Sequence, residues 1–355
     1  MIKVLGFPLY GALAASNRYR LGQYVDMFSA QGIELHLTAL LNDDYLRRKF
    51  SGKSPSIINL LRSVGSRIVD LQRQHKYDLI ILHCELLPLL PGLLECGLLR
   101  VPYIYDFDDA FYLKYRSGCL GLLKSFLSHK FDSVIKSAAA VAAGNLELVR
   151  YAKIHNSNTH YMPTVVNTDR YTPATNKVDG EYLTIGWIGS PSTSKYLQTI
   201  APALSEICIY KAAMMRVIGS GPIVLSGVPV DLLPWNEETE VADIQAFDVG
   251  IMPLPDEPWT RGKCGFKLIQ YMACGLPVVA SPVGANLDIV EHGVNGFLAD
   301  TRDEWIHALT TLQNDPELRR RMGEAGRRKV ETHYSLQVTA PRYGELIRNV
   351  LSGAY

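Results

Sequence analysis

Short apolar runs alternate along this chain with stretches whose apolar residues recur every three or four positions. The runs 2–7, 34–40, 78–83, 102–107, 139–143 and 159–163 read as strands, and 17–31, 56–76, 88–98, 118–136 and 145–154 carry the helical period. Strands this continuously apolar, separated by helices, predict a parallel sheet covered on both faces. A segment rich in Pro, Thr and Asn, Tyr171 to Asn176, interrupts the pattern and reads as a linker. The alternation then restarts, with strands at 183–189, 214–219, 248–252, 276–281 and 296–299. Helices follow at 193–209, 265–274, 303–313, 316–332 and 336–351. The expected fold class is therefore α/β, with two Rossmann-like domains over 1–170 and 171–335 and a C-terminal helix over 336–355. Open α/β sheets bind ligands beyond the carboxyl ends of their strands, so two such edges facing each other would make a cleft.

A length of 355 residues suits two domains, and 47% hydrophobic with 20% charged residues suits a soluble core-forming protein. The net charge of +1 gives no reason to expect nucleic acid or another polyanion. It hides an asymmetry: residues 1–170 hold 20 Lys/Arg against 14 Asp/Glu, and residues 171–355 hold 16 against 21. The six cysteines form no CxxC pair and read as free thiols of a reducing, cytoplasmic compartment. The start, Met1 to Gly6, runs straight into a strand pattern and suggests no signal peptide. His83, Glu85, Arg100 and three prolines break the apolar region 77–104, so no spanning helix is expected.

The segment most charged with chemistry is 261–284, RGKCGFKLIQYMACGLPVVASPVG. Gly262 and Gly265 bracket a short loop before a helical run, and Arg261, Lys263 and Lys267 fall on the loop and first turn. Helix N–H groups and the helix dipole favour an anion at such a terminus, and basic side chains add charge-assisted hydrogen bonds. A diphosphate suits this place; a solvated basic loop before a core helix is the plainer alternative. Further upstream, Val217 to Pro222 (VIGSGP) opens like a dinucleotide fingerprint, but position 224 is Val and the pattern fails. That loop is either an ordinary strand-to-helix turn or part of a base pocket with Glu238 or Glu240.

Taken together, G-F-K-L-I-Q-Y-M-A-C-G-L-P-V-V-A-S, the run Glu291 to Leu298 (EHGVNGFL) and Arg319 to Tyr334 resemble the signature of retaining GT-B glycosyltransferases of family 4. The resemblance covers most of the chain and is densest over 183–335. It implies a GT-B architecture and a nucleoside diphosphate sugar, such as a UDP- or GDP-sugar, as donor. On it, Gly189, Arg261, Lys263, Gly265, Phe266, Gln270, Glu240, Gly11 and Arg18 are expected to bind donor, and Lys267 and Lys195 to stabilise the leaving diphosphate. The family's two glutamates fall here on Gly262 and Gln270, so the first carboxylate is missing and the second is an amide. The loop Gly189 to Lys195 keeps the family's lysine and lacks its arginine.

In the first half, the loop Gly6 to Ser16 resembles the family's glycine-rich loop, with Arg18 and Arg20 behind it as phosphate ligands or surface residues. Asp106, Asp108 and Asp109 end a strand together, and three neighbouring carboxylates demand compensation by a cation, an arginine or sugar hydroxyls. Asp106 and Asp108 are expected to hold the acceptor, with proton transfer as the alternative. No metal and no cofactor are expected: the resemblance implies basic residues on the diphosphate in place of a metal, and no suitably spaced His or Cys joins the aspartates. Residues 45–76 carry eight Lys/Arg and one acid, Asp70, and the amphipathic stretches 56–73 and 118–136 are basic. They fit either a core-facing helix with a solvated basic face or peripheral contact with an anionic membrane at the inner leaflet. The function expected is glycosyl transfer to a glycan or lipid-linked acceptor; an epimerase or a non-catalytic nucleotide-sugar binder are the alternatives.

Overall fold

The computed structural model of the protein describes residues 1–116, 126–175, 182–210 and 213–353. Asn176 of the expected linker, and Cys119 and Lys124 of the stretch 118–136, lie outside the described residues. The chain divides into two compact units. The first comprises Met1–Val165, Gly262–Cys264 and Leu336–Tyr355; the second comprises Val166–Arg261 and Gly265–Ser335.

The first unit is built on β1 (Ile2–Phe7), β2 (Ile33–Leu37), β3 (Leu79–His83), β4 (Tyr103–Phe107), β5 (Ala140–Ala143) and β6 (Thr159–Tyr161). They form one parallel sheet in the order β2-β1-β3-β4-β5-β6. The chain leaves β1 toward β2 and returns on its other side to β3, so the topological switch lies between β1 and β3. β3, β4 and β5 are buried along their whole length, which is why they read as unbroken apolar runs. The C-terminal helix Leu336–Ser352 packs on this unit: the Tyr343 ring meets Tyr24 and Phe28 edge-on, with centroids 5.6 and 5.7 Å apart.

Two helical expectations of this unit are corrected. The stretch 17–31 is not one helix but Ala15–Asn17, a π-helical turn Arg18–Gly22 and Tyr24–Ser29. Within the π turn Arg20 is buried. The helix Ile57–Gln72 does not present a core-facing apolar side with a solvated basic face. Its Arg67 is buried, lies 4.1 Å over the Phe7 ring and donates to the Pro8 carbonyl at 3.2 Å. Burial pulls that guanidinium down to about 10, with Asp70 and Glu95 opposing. The helices Asp43–Phe50 and Tyr112–Arg116 were not legible in the apolar period.

The second unit holds β7 (Leu183–Ile188), β8 (Ala213–Ile218), β9 (Val230–Leu233), β10 (Val249–Met252), β11 (Val278–Ala280) and β12 (Gly296–Leu298). The parallel order is β12-β11-β10-β7-β8-β9, with the switch between β7 and β10. β9 was missed because it is a half-exposed edge strand carrying Asp231, which pairs with Arg216 of β8 at 2.8 Å. Trp187, Met215, Val249, Ile251 and Trp305 belong to one core beneath this sheet. Helix Arg302–Asn314 starts on a capping box of Thr301 and Glu304. Among the described residues no helix is long and apolar enough to cross a membrane.

Candidate active site

The carboxyl edge of the first sheet is organised by a buried ion cluster. The parallel register sets His83, the last residue of β3, beside Asp106 of β4. Asp106 accepts from Arg20 at both oxygens, from Nε at 2.9 Å and Nη2 at 2.7 Å. It also accepts from His83 Nδ1 at 3.0 Å and the Tyr343 hydroxyl at 3.0 Å. The spare Arg20 Nη1 donates to the Met162 carbonyl at 2.6 Å. Burial raises the Asp106 pKa, but the Arg20 charge and the bonds from His83 and Arg20 outweigh it and hold the carboxyl down to about 2. The compensation demanded by the aspartate run is thus an arginine. Asp106 is corrected from an acceptor ligand to an internal anchor: it has no exposed surface.

Asp108 remains partly open, and His83 points its other nitrogen, Nε2, toward it at 3.8 Å. The same nitrogen lies 3.2 Å from Cys84 Sγ. Burial, then the charges of Asp108, Asp106 and Asp109, push the Cys84 thiol well above its ordinary value. Among the described residues, His83, Cys84 and Asp108 form the one set whose ligand atoms, all within 4.8 Å of one another, suit a cation. The expectation that no His or Cys joins these aspartates is therefore corrected; sequence spacing could not reveal it, because the two strands meet only in the sheet. A lone histidine ending a buried strand was the available signal.

The glycine-rich loop of this unit is shaped by Asp43. Its Oδ1 accepts from the Leu13 N–H at 2.9 Å, and a Cβ on Gly11 would lie 2.3 Å from that oxygen. Arg18 donates to the Ala12 and Leu13 carbonyls at 2.9 Å, bracing the loop. Residues 262–264 belong to this unit rather than the second. Lys263 Nζ lies 3.4 Å from Asp109 Oδ1, and Cys264 Sγ lies 3.0 Å from the Asp108 carbonyl. Gly262 is pressed on Ala110: a Cβ there would lie 2.5 Å from the Ala110 Cβ. No larger side chain fits that place without movement.

In the second unit the switch between β7 and β10 brings Gly189 and Lys267 together. Gly265, with φ of 65°, turns the chain into the helix Phe266–Ala273, and Phe266 opens it half-buried. Tyr271 of that helix accepts the Ile188 N–H at 3.0 Å and ties it to the end of β7. Lys267 extends over Trp187, its Nζ 5.2 Å from a ring centroid. A Cβ on Gly189 would lie 2.8 Å from Lys267 Cε, so glycine there leaves the lysine its path. Lys195 is exposed beside the Tyr196 ring. Arg261 is exposed and engages Asp256 in a bidentate pair at 2.6 and 2.9 Å.

Gln270 and Glu240 prove to be one group. Glu240 accepts from the Tyr171 hydroxyl at 2.7 Å, from Trp235 Nε1 at 2.8 Å and from the Gln270 amide, which also donates to the Tyr171 oxygen at 3.0 Å. Both are buried, at 3% and 1% exposure, and this corrects their picture as side chains standing open to the donor. Gln270 points inward because its helix faces the core through Leu268, Ile269, Tyr271 and Met272. A separate cavity of about 900 Å³ is lined by Asp248, Pro277, Arg319 and Arg327, at the amino ends of β10 and β11. That is the opposite end of the sheet from Lys267, where such folds do not place their ligands.

Residues 182–315 match the family described as Glycosyl transferases group 1. N-acetyl-alpha-D-glucosaminyl L-malate synthase of Bacillus anthracis is 26% identical over 167 residues, 44% of this chain and 43% of that protein. The chain matches less than half the length of such curated relatives. Among solved structures, sucrose-phosphate synthase from Thermosynechococcus elongatus has a TM-score of 0.75 at 14% identity, covering 100% of both chains. Anabaena HepE in complex with UDP and glucose has a TM-score of 0.71 at 16% identity, covering 98% of this chain and 100% of that one. At those identities the structural likeness speaks to fold. Residues 182–315 are thus similar to the glycosyl transferases group 1 family, and the chain as a whole has the GT-B fold.

Proposed function

We propose that the protein transfers a glycosyl group from a nucleoside diphosphate sugar to an acceptor hydroxyl, with retention of configuration. The observation that carries this reading is Lys267, held over Trp187 on the first turn of a helix that opens at the switch point of a domain similar to the glycosyl transferases group 1 family. As the glycosidic bond breaks, charge accumulates on the diphosphate. A preorganised ammonium and the helix N–H groups act on that charge, a kind of term that often dominates catalysis. Lys195, exposed beside Tyr196 in the same unit, supplies further positive charge, and the Glu240–Gln270 pair backs the donor pocket.

In the first unit, Asp108 takes the acceptor-holding role first assigned to the aspartate run. His83 Nε2 lies 3.8 Å from it, and Asp106 holds the other ring nitrogen of His83. The acceptor is a glycan or lipid-linked molecule, and the enzyme works in the cytoplasm in peripheral contact with an anionic inner leaflet. No metal is needed, so transfer survives EDTA; restoration of a chelated enzyme by a divalent ion would instead assign the His83–Cys84–Asp108 set to that ion. A non-catalytic nucleotide-sugar binder is the second reading, favoured by Gly262, where packing on Ala110 excludes a carboxylate. A thermal-shift screen against UDP- and GDP-sugars, followed by donor turnover with and without acceptor, decides between them. A melting temperature that no nucleotide sugar raises refutes donor binding, and tight binding without turnover selects the binder.

A further inference from the structure

The helix Ile57–Gln72 is mounted the wrong way round for a core helix. Its inward positions are Leu60, Ser63, Arg67 and Leu71, followed by Gln74 in the next turn. Its outward positions are Ile57, Ile58, Leu61, Val64, Ile68 and Val69, with exposures from 39% at Val64 to 75% at Ile57. A surface helix normally shows the opposite arrangement. The next helix, Gly92–Leu98, repeats the inversion, with Leu93, Leu94 and Leu98 exposed and Gly92 and Glu95 buried. The two helices are linked through Gln74, whose amide donates to the Leu98 carbonyl at 2.9 Å and whose oxygen accepts the Arg100 N–H at 2.7 Å. Exposed apolar residues gathered on two helices linked in this way mark an interaction site rather than an accident of packing.

Charge identifies the occupant. Arg47, Lys49, Lys53, Arg62, Arg73 and Lys76 are exposed on this helix and the segments flanking it, and Asp70 is the one acid over 45–76. A second copy of the chain would bring these like charges face to face, which is unfavourable. An anionic bilayer surface offers both what the cations attract and an apolar interior for the stripe. We propose that the outward faces of Ile57–Gln72 and Gly92–Leu98 dock the first unit on an anionic membrane, with Ile57, Leu61, Val64 and Ile68 inserted at the headgroup boundary and the cations on lipid phosphates. The inference rests on the membrane contact proposed above and gives that contact its surface. It also separates insertion from attraction: salt weakens the second and leaves the first.

The test needs neither donor nor acceptor. The full-length protein is co-sedimented with vesicles of phosphatidylcholine alone, and of phosphatidylcholine and phosphatidylglycerol in equal parts. Binding to the mixed vesicles is expected, and the triple variant Ile57→Ser, Leu61→Ser, Ile68→Ser should lower that partition by about tenfold or more without loss of its melting transition. A single Leu61→Trp substitution should add blue-shifted emission when mixed vesicles are supplied, a readout that survives if the triple variant folds poorly. Wild-type binding that the triple variant retains, with no shift at Leu61→Trp, overturns this surface and leaves the membrane contact standing. No binding to anionic vesicles overturns both. A dimer in light scattering that the triple variant dissolves assigns the face to a second copy instead.

Discussion

The carboxyl edges of the two sheets spend charge differently. In the first unit the charges are buried and consumed internally: Arg20, Asp106, His83 and Tyr343 satisfy one another out of reach of solvent. A second buried set lies nearby, where Lys130 joins Glu85 at 3.0 Å and Glu95 at 2.8 Å. In the second unit the buried carboxylates Glu240 and Asp248 are held by neutral donors, Arg261 pairs with Asp256 at the surface, and Lys195 and Lys267 stay exposed or half-buried. Buried pairs rigidify and orient, since their fields are already balanced; a half-buried lysine such as Lys267 retains field for a ligand. Asp106, which looks functional in the sequence, is therefore scaffold, and Asp108 is the residue proposed above to meet the acceptor.

The sharpest way to break this contrast is Arg20→Met. It leaves Asp106 buried with its countercharge gone and should cost about 3–5 kcal/mol, read from the urea midpoint. Adding Asp106→Asn should recover part of that loss; a cost under about 1 kcal/mol for the single variant would mean that the cluster is not the scaffold. Next in size is Lys267→Ala, expected to slow turnover by about a hundredfold with an unchanged melting temperature. An unaltered kcat in the folded variant removes Lys267 from the leaving group.

Acid should then weaken the first unit before the second. The Asp106 pKa is depressed on folding, so its contribution is present above the ordinary carboxyl value and is lost as pH falls from about 4 through about 2. That loss amounts to about 2 kcal/mol, and the Asp106→Asn variant should lack it in an acid titration of stability. The smallest effect is Gln270→Ala, about 1 kcal/mol, now expected in stability as well as donor affinity because the amide bridges Glu240 and Tyr171. A change in donor affinity alone would show that Gln270 turns outward when donor binds.

By itself the sequence determined the two-sheet plan. Buried parallel strands must be apolar on both faces, so the interior strands announced themselves, and Gly265 before Phe266 marked the start of the helix that carries Lys267. Where burial is partial the signal fails: edge strand β9 and the short helix Glu240–Gln245 carry too few apolar residues to be seen. Tertiary structure alone decided which groups meet. Asp106 lies next to Arg20, His83 and Tyr343, and the contact to Tyr343 spans 237 positions. It also decided which way the helix Ile57–Gln72 faces. Periodicity shows that a helix has two sides, but only the surrounding packing, here Arg67 laid on Phe7, selects the side that is buried.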